Sequence, residues 1–195
     1  MEHKTRMPYE AVYAAVTARI VQGHYRPTHR IGIAALAESL SVSTTPVREA
    51  LRQLAGRDII VERHREGFYL APLTARMIAG LYGAHGHWMQ QILATRPSLR
   101  LGERHRRGLW RAFDMVADRS GDAAMSAVRG YLDDRLLVLR RHEALAIDDL
   151  AATGSLFAQA VAKGEHDRAR VISDAFHMQC AHEAQRLAEA LYPIR

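Results

Sequence analysis

A short polar tract in the first quarter of the chain carries residues suited to bind anions. Ser43, Thr44 and Thr45 stand directly before Pro46, whose fixed φ suits the first turn of a helix. Hydroxyls and N–H groups at a helix start attract phosphate oxygens. Arg48, about one turn further, offers the parallel donors that match a guanine edge or a phosphate. The tract therefore predicts contact with a nucleic acid, with Arg48 as the first candidate for reading a base.

Three more residues extend this candidate surface. Arg52 lies one turn beyond Arg48 and is placed to contact the phosphate backbone. Arg65 lies between two short apolar runs, where Gly67 permits a tight turn. An isolated exposed Arg is usually a solvated charge, so the assignment of these residues to nucleic-acid binding depends on the motif that contains them.

Histidines in the second half of the chain are candidates for a metal site. His85 and His87 fall on one predicted helix, and His177 and His182 fall on another. A transition metal usually needs three or four ligands, and residues two apart point to different faces of a helix. His177 and Cys180 share a face but are too few. We therefore predict no metal site and no cofactor.

A small-molecule site remains an open alternative in the same region. Pockets in helical bundles are lined by apolar and aromatic groups with a few polar anchors, and His85, Trp88, Phe176 and His177 are the candidate lining for an effector. The competing interpretation is that the large side chains simply pack the bundle core; those side chains are Trp88, Trp110, Phe113, Leu136 and Phe157.

An enzyme is the alternative class of protein, and the sequence gives little support for it. It has no phosphate-cradling glycine loop, no nucleophile elbow and no His-Glu-x-x-His, and Cys180 lacks a nucleophile context. The adjacent pairs Asp133-Asp134 and Asp148-Asp149 diverge on a helix, which suits solvation better than acid–base catalysis. We predict that the protein is not an enzyme.

Apolar spacing predicts the elements that must position these residues. Helices are expected at Tyr9–Gln22, at Ile33–Leu40 and from the Ser43–Pro46 tract to about Arg57. Two short apolar runs within Ile59–Pro72 predict a hairpin. Three short helices followed by two strands are the order of a winged helix-turn-helix, in which the third helix enters the major groove.

Beyond Leu73 the pattern is helical throughout. Stretches rich in Ala, Leu, Met and Arg predict helices near 75–95, 103–119, 122–143, 145–163 and 166–191. The predicted fold is mainly α, with an N-terminal winged helix-turn-helix over residues 1–73 and a C-terminal α-helical bundle over residues 74–195. The basic clusters 104–107 and 140–142 are expected at solvated helix ends.

Composition favours a reduced, cytoplasmic protein. The chain has 195 residues, one cysteine and a net charge of +6, which favours a polyanionic partner. A lone cysteine cannot form an internal disulfide. The sequence also lacks an apolar run of about 20 residues, which is the length that a membrane span requires. Neither an export segment nor a membrane partner is expected.

The stretch Leu36–Leu54 resembles the signature of the GntR family almost position by position, and the likeness extends to 25–27 before it and to 64–68 after it. The resemblance implies a transcriptional regulator, typically a repressor, that binds a palindromic operator in double-stranded DNA as a homodimer. Two positions depart from the pattern. Many members carry Arg where Thr44 stands and a charged residue near Ala34, which predicts fewer phosphate contacts and a shallower salt dependence.

The helical half resembles the effector domain of the FadR-like (FCD) subgroup, on the segments Met77–Tyr82 and Ala160–Glu165. Many domains of that subgroup hold a metal through one Asp and three His. The corresponding positions fall near Val128, Leu132 and Gly154, whose side chains cannot ligate a metal, so the ligand pattern is degenerate here. The alternative is a helical domain that only dimerises and takes no effector.

Overall fold

A computed structural model describes residues 7–25, 29–101, 108–119 and 121–192. The chain divides into two compact units: the first runs through Pro72 and the second begins at Leu73, with residues 137–141 and 191–192 grouped with the first. Part of the tract 25–27 and the basic cluster 104–107 lie outside the described residues.

The first unit is built around a short amphipathic helix. It contains α1 (Tyr9–Val21), α2 (Ile33–Ser39) and α3 (Thr44–Ala55), followed by β1 (Ile60–Arg63) and β2 (Gly67–Leu70). α3 packs against α1, α2 and β1. Its apolar stripe is fully buried, as are the facing residues of α1; these residues are Val47, Ala50, Leu51, Leu54, Val12, Val16 and Ile20.

The hairpin closes over the same core. β1 and β2 pair antiparallel, with Ile60 opposite Leu70 and Arg63 opposite Gly67. Ile31 adds a bridge to Phe68, and Ile60 and Phe68 are both buried. The hairpin is thereby attached to the segment that leads into α2, and the predicted winged helix-turn-helix is confirmed.

The second unit is helical. It contains α4 (Ala75–Thr95), α5 (Leu109–Asp118), α6 (Ala123–Leu136), a 3-10 helix (Arg140–Leu145), α7 (Leu150–Lys163), α8 (His166–His182) and α9 (Ala184–Leu191). α4 packs along α8 and α6, α5 packs on α7, and α7 packs on α8. The predicted mainly α fold is confirmed. None of the helices in the described ranges has the length and apolar character needed to cross a bilayer.

Four predicted helix boundaries in this unit are wrong. The helix expected from residue 103 begins at Leu109, with Gly108 as its N-cap. The helix expected over 122–143 ends at Leu136, and the one expected from 145 begins at Leu150 with Asp149 as its N-cap. Between them a 3-10 turn carries Glu143, whose buried carboxylate accepts hydrogen bonds from Tyr82 and Trp110. These tertiary bonds hold the segment in a conformation that local propensity does not indicate. The helix expected over 166–191 is interrupted at Glu183.

The crossing of α4 and α8 depends on Gly86. A Cβ at this position would lie 2.9 Å from the Cβ and Cγ atoms of His177. We expect Gly86→Ala to lower the free energy of unfolding by about 1–3 kcal/mol, since the added methyl group overpacks the crossing. Urea unfolding followed by circular dichroism measures this change.

Gly130→Ala is the matched control, because nothing lies within 4 Å of the place where its Cβ would stand. That variant is expected to keep or gain stability, by up to about 1 kcal/mol, from the higher helix propensity of Ala. Equal stability of the two variants would contradict the close approach at Gly86.

Candidate functional site

The start of α3 is exposed and lacks a side-chain cap. Ser43 occupies the N-cap position with extended backbone, and its hydroxyl makes no cap hydrogen bond. A Ser cap usually accepts a hydrogen bond from the N–H of the second or third residue of the helix. Pro46 is the third residue and has no N–H, so one of these two donors is missing. Thr44 and Thr45 are exposed beside it. Their N–H groups have no carbonyl partner within the helix and add to its positive end.

Arg48 stands on the outer face of α3, one turn from this open end. It is exposed, and within the described residues it makes no ion pair. Arg52 lies further along the same face, and its Nε is 3.6 Å from Glu62 Oε2. Both partners of that pair are exposed, so the contact is weak, but it draws Arg52 towards β1. Arg48 is therefore the more available of the two cations.

The turn of the hairpin places Arg65 in solvent. Its φ is +61°, a left-handed conformation that is uncommon for a residue with a side chain. Gly67 follows with a φ of +114°, and a Cβ there would come within 2.7 Å of Arg30 Nε. Gly67 thus permits the backbone conformation of the turn and leaves room for the exposed side chain of Arg30. Sequence reasoning missed Arg30, because only the folded hairpin brings it to this surface.

The four residues predicted to line an effector site come together in the core of the second unit. His85 and His177 are buried, and His85 Nδ1 lies 2.7 Å from His177 Nε2. The rings of Trp88 and Phe176 pack beside this pair. His87 and His182 are exposed and take no part. Across the part of the chain that is described, no three His, Cys, Asp or Glu side chains are grouped to hold a metal.

Hydrogen-bond geometry assigns the protons of the histidine pair. His177 Nδ1 lies 2.6 Å from the carbonyl oxygen of Ser173, which can only accept, so this nitrogen donates. In the neutral ring Nε2 is then an acceptor and receives the Nδ1–H of His85. Burial and the neighbouring His85 lower the pKa of His177 from 6.5 to about 3, against a smaller opposing effect of the Ser173 carbonyl. His177 is therefore neutral at physiological pH.

A partly buried cluster of charged residues on α6 and α5 lies next to His85. Its Nε2 lies 3.4 Å from Asp133 Oδ1, and Asp133 Oδ2 lies 2.7 Å from Arg129 Nη2. Arg129 also bonds Asp114 on α5. The expectation that Asp133 is solvated was wrong, because its side chain is only 15% exposed and pairs with Arg129.

Of the two α6 positions taken from the family pattern, Leu132 is buried and Val128 is not. Val128 is 55% exposed, whereas its neighbour Arg129 is buried. Sequence reasoning missed Arg129 and Asp133, although their spacing of four was a signal that could have found them, because it puts opposite charges on one helix face.

The chemistry of Cys180 and Glu143 is also decided by burial. Tyr82 donates to Glu143 Oε1 and Trp110 to Glu143 Oε2, each at 2.8 Å. Burial first, and the Glu143 carboxylate second, raise the pKa of the Cys180 thiol far above its usual range. Cys180 therefore stays protonated and is a poor nucleophile.

An open groove of about 470 Å³ lies between α7, α8 and the loop that precedes α7. Its walls include Leu156, Val171 and Phe176, and Asp148 and Gln179 add polar groups. Of the four predicted effector residues, Phe176 alone lines this groove. The other three lie in the packed interior, where aromatic rings surround His85.

Comparison with known proteins identifies similarity to bacterial transcriptional regulators. Residues 8–70 match the family model for bacterial regulatory proteins of the gntR family. An uncharacterized HTH-type transcriptional regulator of Bacillus subtilis, YdhC, is 34% identical over 74 residues, which are 38% of this chain and 33% of that protein. The Nta operon transcriptional regulator of Aminobacter aminovorans is 39% identical over 62 residues, 32% of this chain and 30% of that protein. The matches thus span about a third of these relatives.

Solved structures extend the likeness of fold over both units. McbR/YncC of E. coli superposes with a TM-score of 0.70 at 15% identity, covering 91% of this chain and 97% of that one. A protein of Rhodococcus sp. RHA1 that carries the name GntR gives 0.68 at 14% identity, covering 90% and 96%. At these identities the likeness shows the fold alone.

The neutral His177 makes stability depend on pH. An unfolded chain binds a proton at this residue below about pH 6.5, whereas the folded chain does so only near pH 3. Stability contributed by neutral His177 is present above pH 6.5 and is lost as the pH falls. We expect the free energy of unfolding to drop by about 1 kcal/mol per pH unit near pH 5 from this group.

Urea unfolding at pH 7.5, 6 and 5 measures this dependence. His177→Gln should flatten the pH profile, while His182→Gln, at an exposed position on the same helix, should leave it as in the wild type. A profile that is equally steep in His177→Gln would show that other groups cause the acid destabilisation.

Proposed function

We propose that this chain, whose residues 8–70 match the family model for bacterial regulatory proteins of the gntR family, is a sequence-specific transcriptional regulator. In this proposal it binds a palindromic operator as a homodimer and acts as a repressor. The observation that carries the proposal is the exposed, uncapped start of α3 with Arg48 one turn away. Such a regulator works on the chromosome, so we place it in the cytoplasm.

The side chains divide the work of binding between position and sequence. Ser43, Thr44 and Thr45 hold phosphate oxygens at the positive end of α3 and so fix the register of the helix in the major groove. Arg48 reads a base edge, with guanine as the best match to its paired donors. Its side chain is suited to this because it is not engaged elsewhere in the described chain, whereas Arg52 leans towards Glu62.

The hairpin is proposed as the wing that follows the neighbouring groove. Arg65 projects from the turn as an exposed cation, and the missing side chain of Gly67 leaves room for Arg30 next to the strand that follows the turn. Both cations attract the backbone and carry no sequence information by themselves. The net charge of +6 favours the approach of DNA at long range.

A response to a small-molecule effector is proposed for the second unit, which we assign to the FadR-like subgroup on the segment that opens α4. The supporting observation is the buried polar series from Ser173 through His177 and His85 to Asp133, which joins α8, α4 and α6. A ligand that engages His85 or His177 would change the packing of three helices together. The alternative is a unit that only dimerises, and ligand-induced stabilisation across a metabolite panel distinguishes the two.

Selection from a random DNA pool tests the reading role of Arg48. The wild type should enrich a short palindrome, and Arg48→Ala should lose about 1–3 kcal/mol of discrimination at one position in each half-site. Arg111→Ala, which removes an exposed charge from α5 in the second unit, is the control and should enrich the wild-type sequence. A wild type that enriches no sequence would refute the proposed regulator.

The wing is tested by Arg65→Asn, because Asn tolerates the left-handed conformation and lacks the charge. Operator affinity measured at several salt concentrations should fall, and the slope of log K against log salt should become shallower by about 0.9 per lost phosphate contact, counted for each protomer. Thermal unfolding should stay unchanged. An unaltered slope would remove Arg65 from the interface.

A further inference from the structure

The open groove beside α8 has mostly apolar walls. It has a volume of about 470 Å³ and lies between α7, α8 and the loop that precedes α7. Large apolar side chains from both helices line it; they are Leu156, Val171, Ile172 and Phe176. Pockets that bind small molecules have volumes of about 300–1,000 Å³ and walls of this kind. The groove therefore has the size and the lining of a small-molecule site.

The polar groups of the groove are acceptors without a cation. Asp148, Thr153 and Gln179 supply these groups, and no Lys, Arg or His is among the described residues that line the groove. A carboxylate only accepts hydrogen bonds, and hydroxyl and amide oxygens can accept them as well. An anionic ligand would meet the Asp148 carboxylate with no cation to compensate it, whereas an ammonium group would find several acceptors. Charge complementarity thus favours a cationic ligand.

The carboxylate of Asp148 is available because its neighbour caps the helix. Asp149 Oδ1 accepts the N–H of Ala152 at 2.8 Å and so serves the start of α7. Asp148 is exposed, and within the described residues it makes no ion pair. Arg186 of α9 approaches the same loop, but it donates to the carbonyl oxygen of Leu145 at 2.9 Å and does not line the groove. The Asp148 carboxylate can therefore pair with a ligand.

Charged residues limit the apolar surface around the groove. Asp167, Arg168 and Asp174 are exposed on α8, so the apolar lining does not continue along that helix as an uninterrupted surface. A stable interface with another protein buries about 800 Å² on each partner. A bounded groove with one carboxylate among its polar groups suits a small molecule better than a protein partner.

The groove is a different site from the buried histidine pair. Phe176 lines the groove, although only 1% of this residue is exposed. The centroid of its ring lies 5.0 Å from that of His177 and 6.2 Å from that of Trp110. A ligand in the groove would touch Phe176 and not His177, because His177 is not part of the lining.

We infer that this groove binds a small apolar molecule that carries an ammonium group. The apolar part of the ligand packs against Leu156, Val171 and Phe176. Its ammonium group pairs with the Asp148 carboxylate and donates to the side-chain oxygen of Gln179. The inference goes beyond the proposed regulator, because it assigns a site and a class of ligand that contact with DNA does not require.

Isothermal titration calorimetry of the full chain at neutral pH, with 4-phenylbutylamine as the probe, tests the inference. This probe joins a phenyl ring to an alkyl chain and a charged ammonium group. It should bind about fivefold more tightly than the neutral 4-phenylbutanol, because an ion pair at an exposed carboxylate is weak. The preference over 4-phenylbutyrate should be about tenfold or more, because its carboxylate would meet that of Asp148.

Variants in the groove locate the bound probe. Asp148→Asn keeps the shape of the side chain, so it should weaken binding of the amine about three- to fivefold and leave the alcohol unaffected. Asp174→Asn is the matched control, because it removes an exposed charge from α8 outside the groove. Ala175→Phe places a phenyl ring at a lining position and should abolish binding of the amine and the alcohol. Circular dichroism checks that each variant folds.

The titrations contain no DNA, so their outcome is independent of operator binding. A preference for the amine that Asp148→Asn abolishes and Asp174→Asn retains would establish the inference. It would be overturned by a wild type that binds no amine at millimolar concentration or that binds the amine and the carboxylate equally. An amine affinity unchanged in Asp148→Asn, or unchanged in a folded Ala175→Phe, would place the ligand elsewhere and overturn it as well.

Discussion

Burial of one apolar stripe on α3 is the constraint on which the first unit depends. Val47, Leu51 and Leu54 must leave water together, and α1, α2 and β1 supply the surfaces that cover them. Because a helix has one orientation once such a stripe is buried, the opposite face is held towards solvent. The residues that could touch DNA are therefore positioned by residues that never touch it. The exposed face can then carry hydroxyls and guanidinium groups at little cost to the core.

The second unit depends on a different contact, the close approach of α4 and α8 at Gly86. Only a residue without a side chain lets the His177 ring reach this crossing. The approach brings His85 and His177 into hydrogen-bond contact and extends the polar series onto α6. Buried polar groups are costly unless each finds a partner, so this interior tolerates fewer arrangements than a purely apolar core. That property suits a unit whose packing is proposed to report the presence of a ligand.

Charge is distributed differently over the two units. Around the start of α3 and the hairpin, exposed arginines lie beside an uncapped helix end, which suits a polyanion. On the solvent sides of α4 and α6, ionised residues are nearly absent among the exposed positions, although the chain as a whole carries a net charge of +6.

Sequence alone was enough for the winged helix-turn-helix and for the helical character of the second unit, and it supplied the candidate residues of the proposed DNA contact. Two local signals carried these predictions: the periodicity of Val47, Leu51 and Leu54, and the hydroxyls before Pro46. Local signals can be recognised without knowledge of the rest of the fold. The burial of Glu143 could not be predicted from such local signals, and the spacing of Arg129 and Asp133 indicates a shared helix face but not the distant groups that they meet. Arg129 and Glu143 are buried and Asp133 is largely so, because groups from distant segments, such as Asp114, Tyr82 and His85, lie against them. Only tertiary packing decides which distant segments meet.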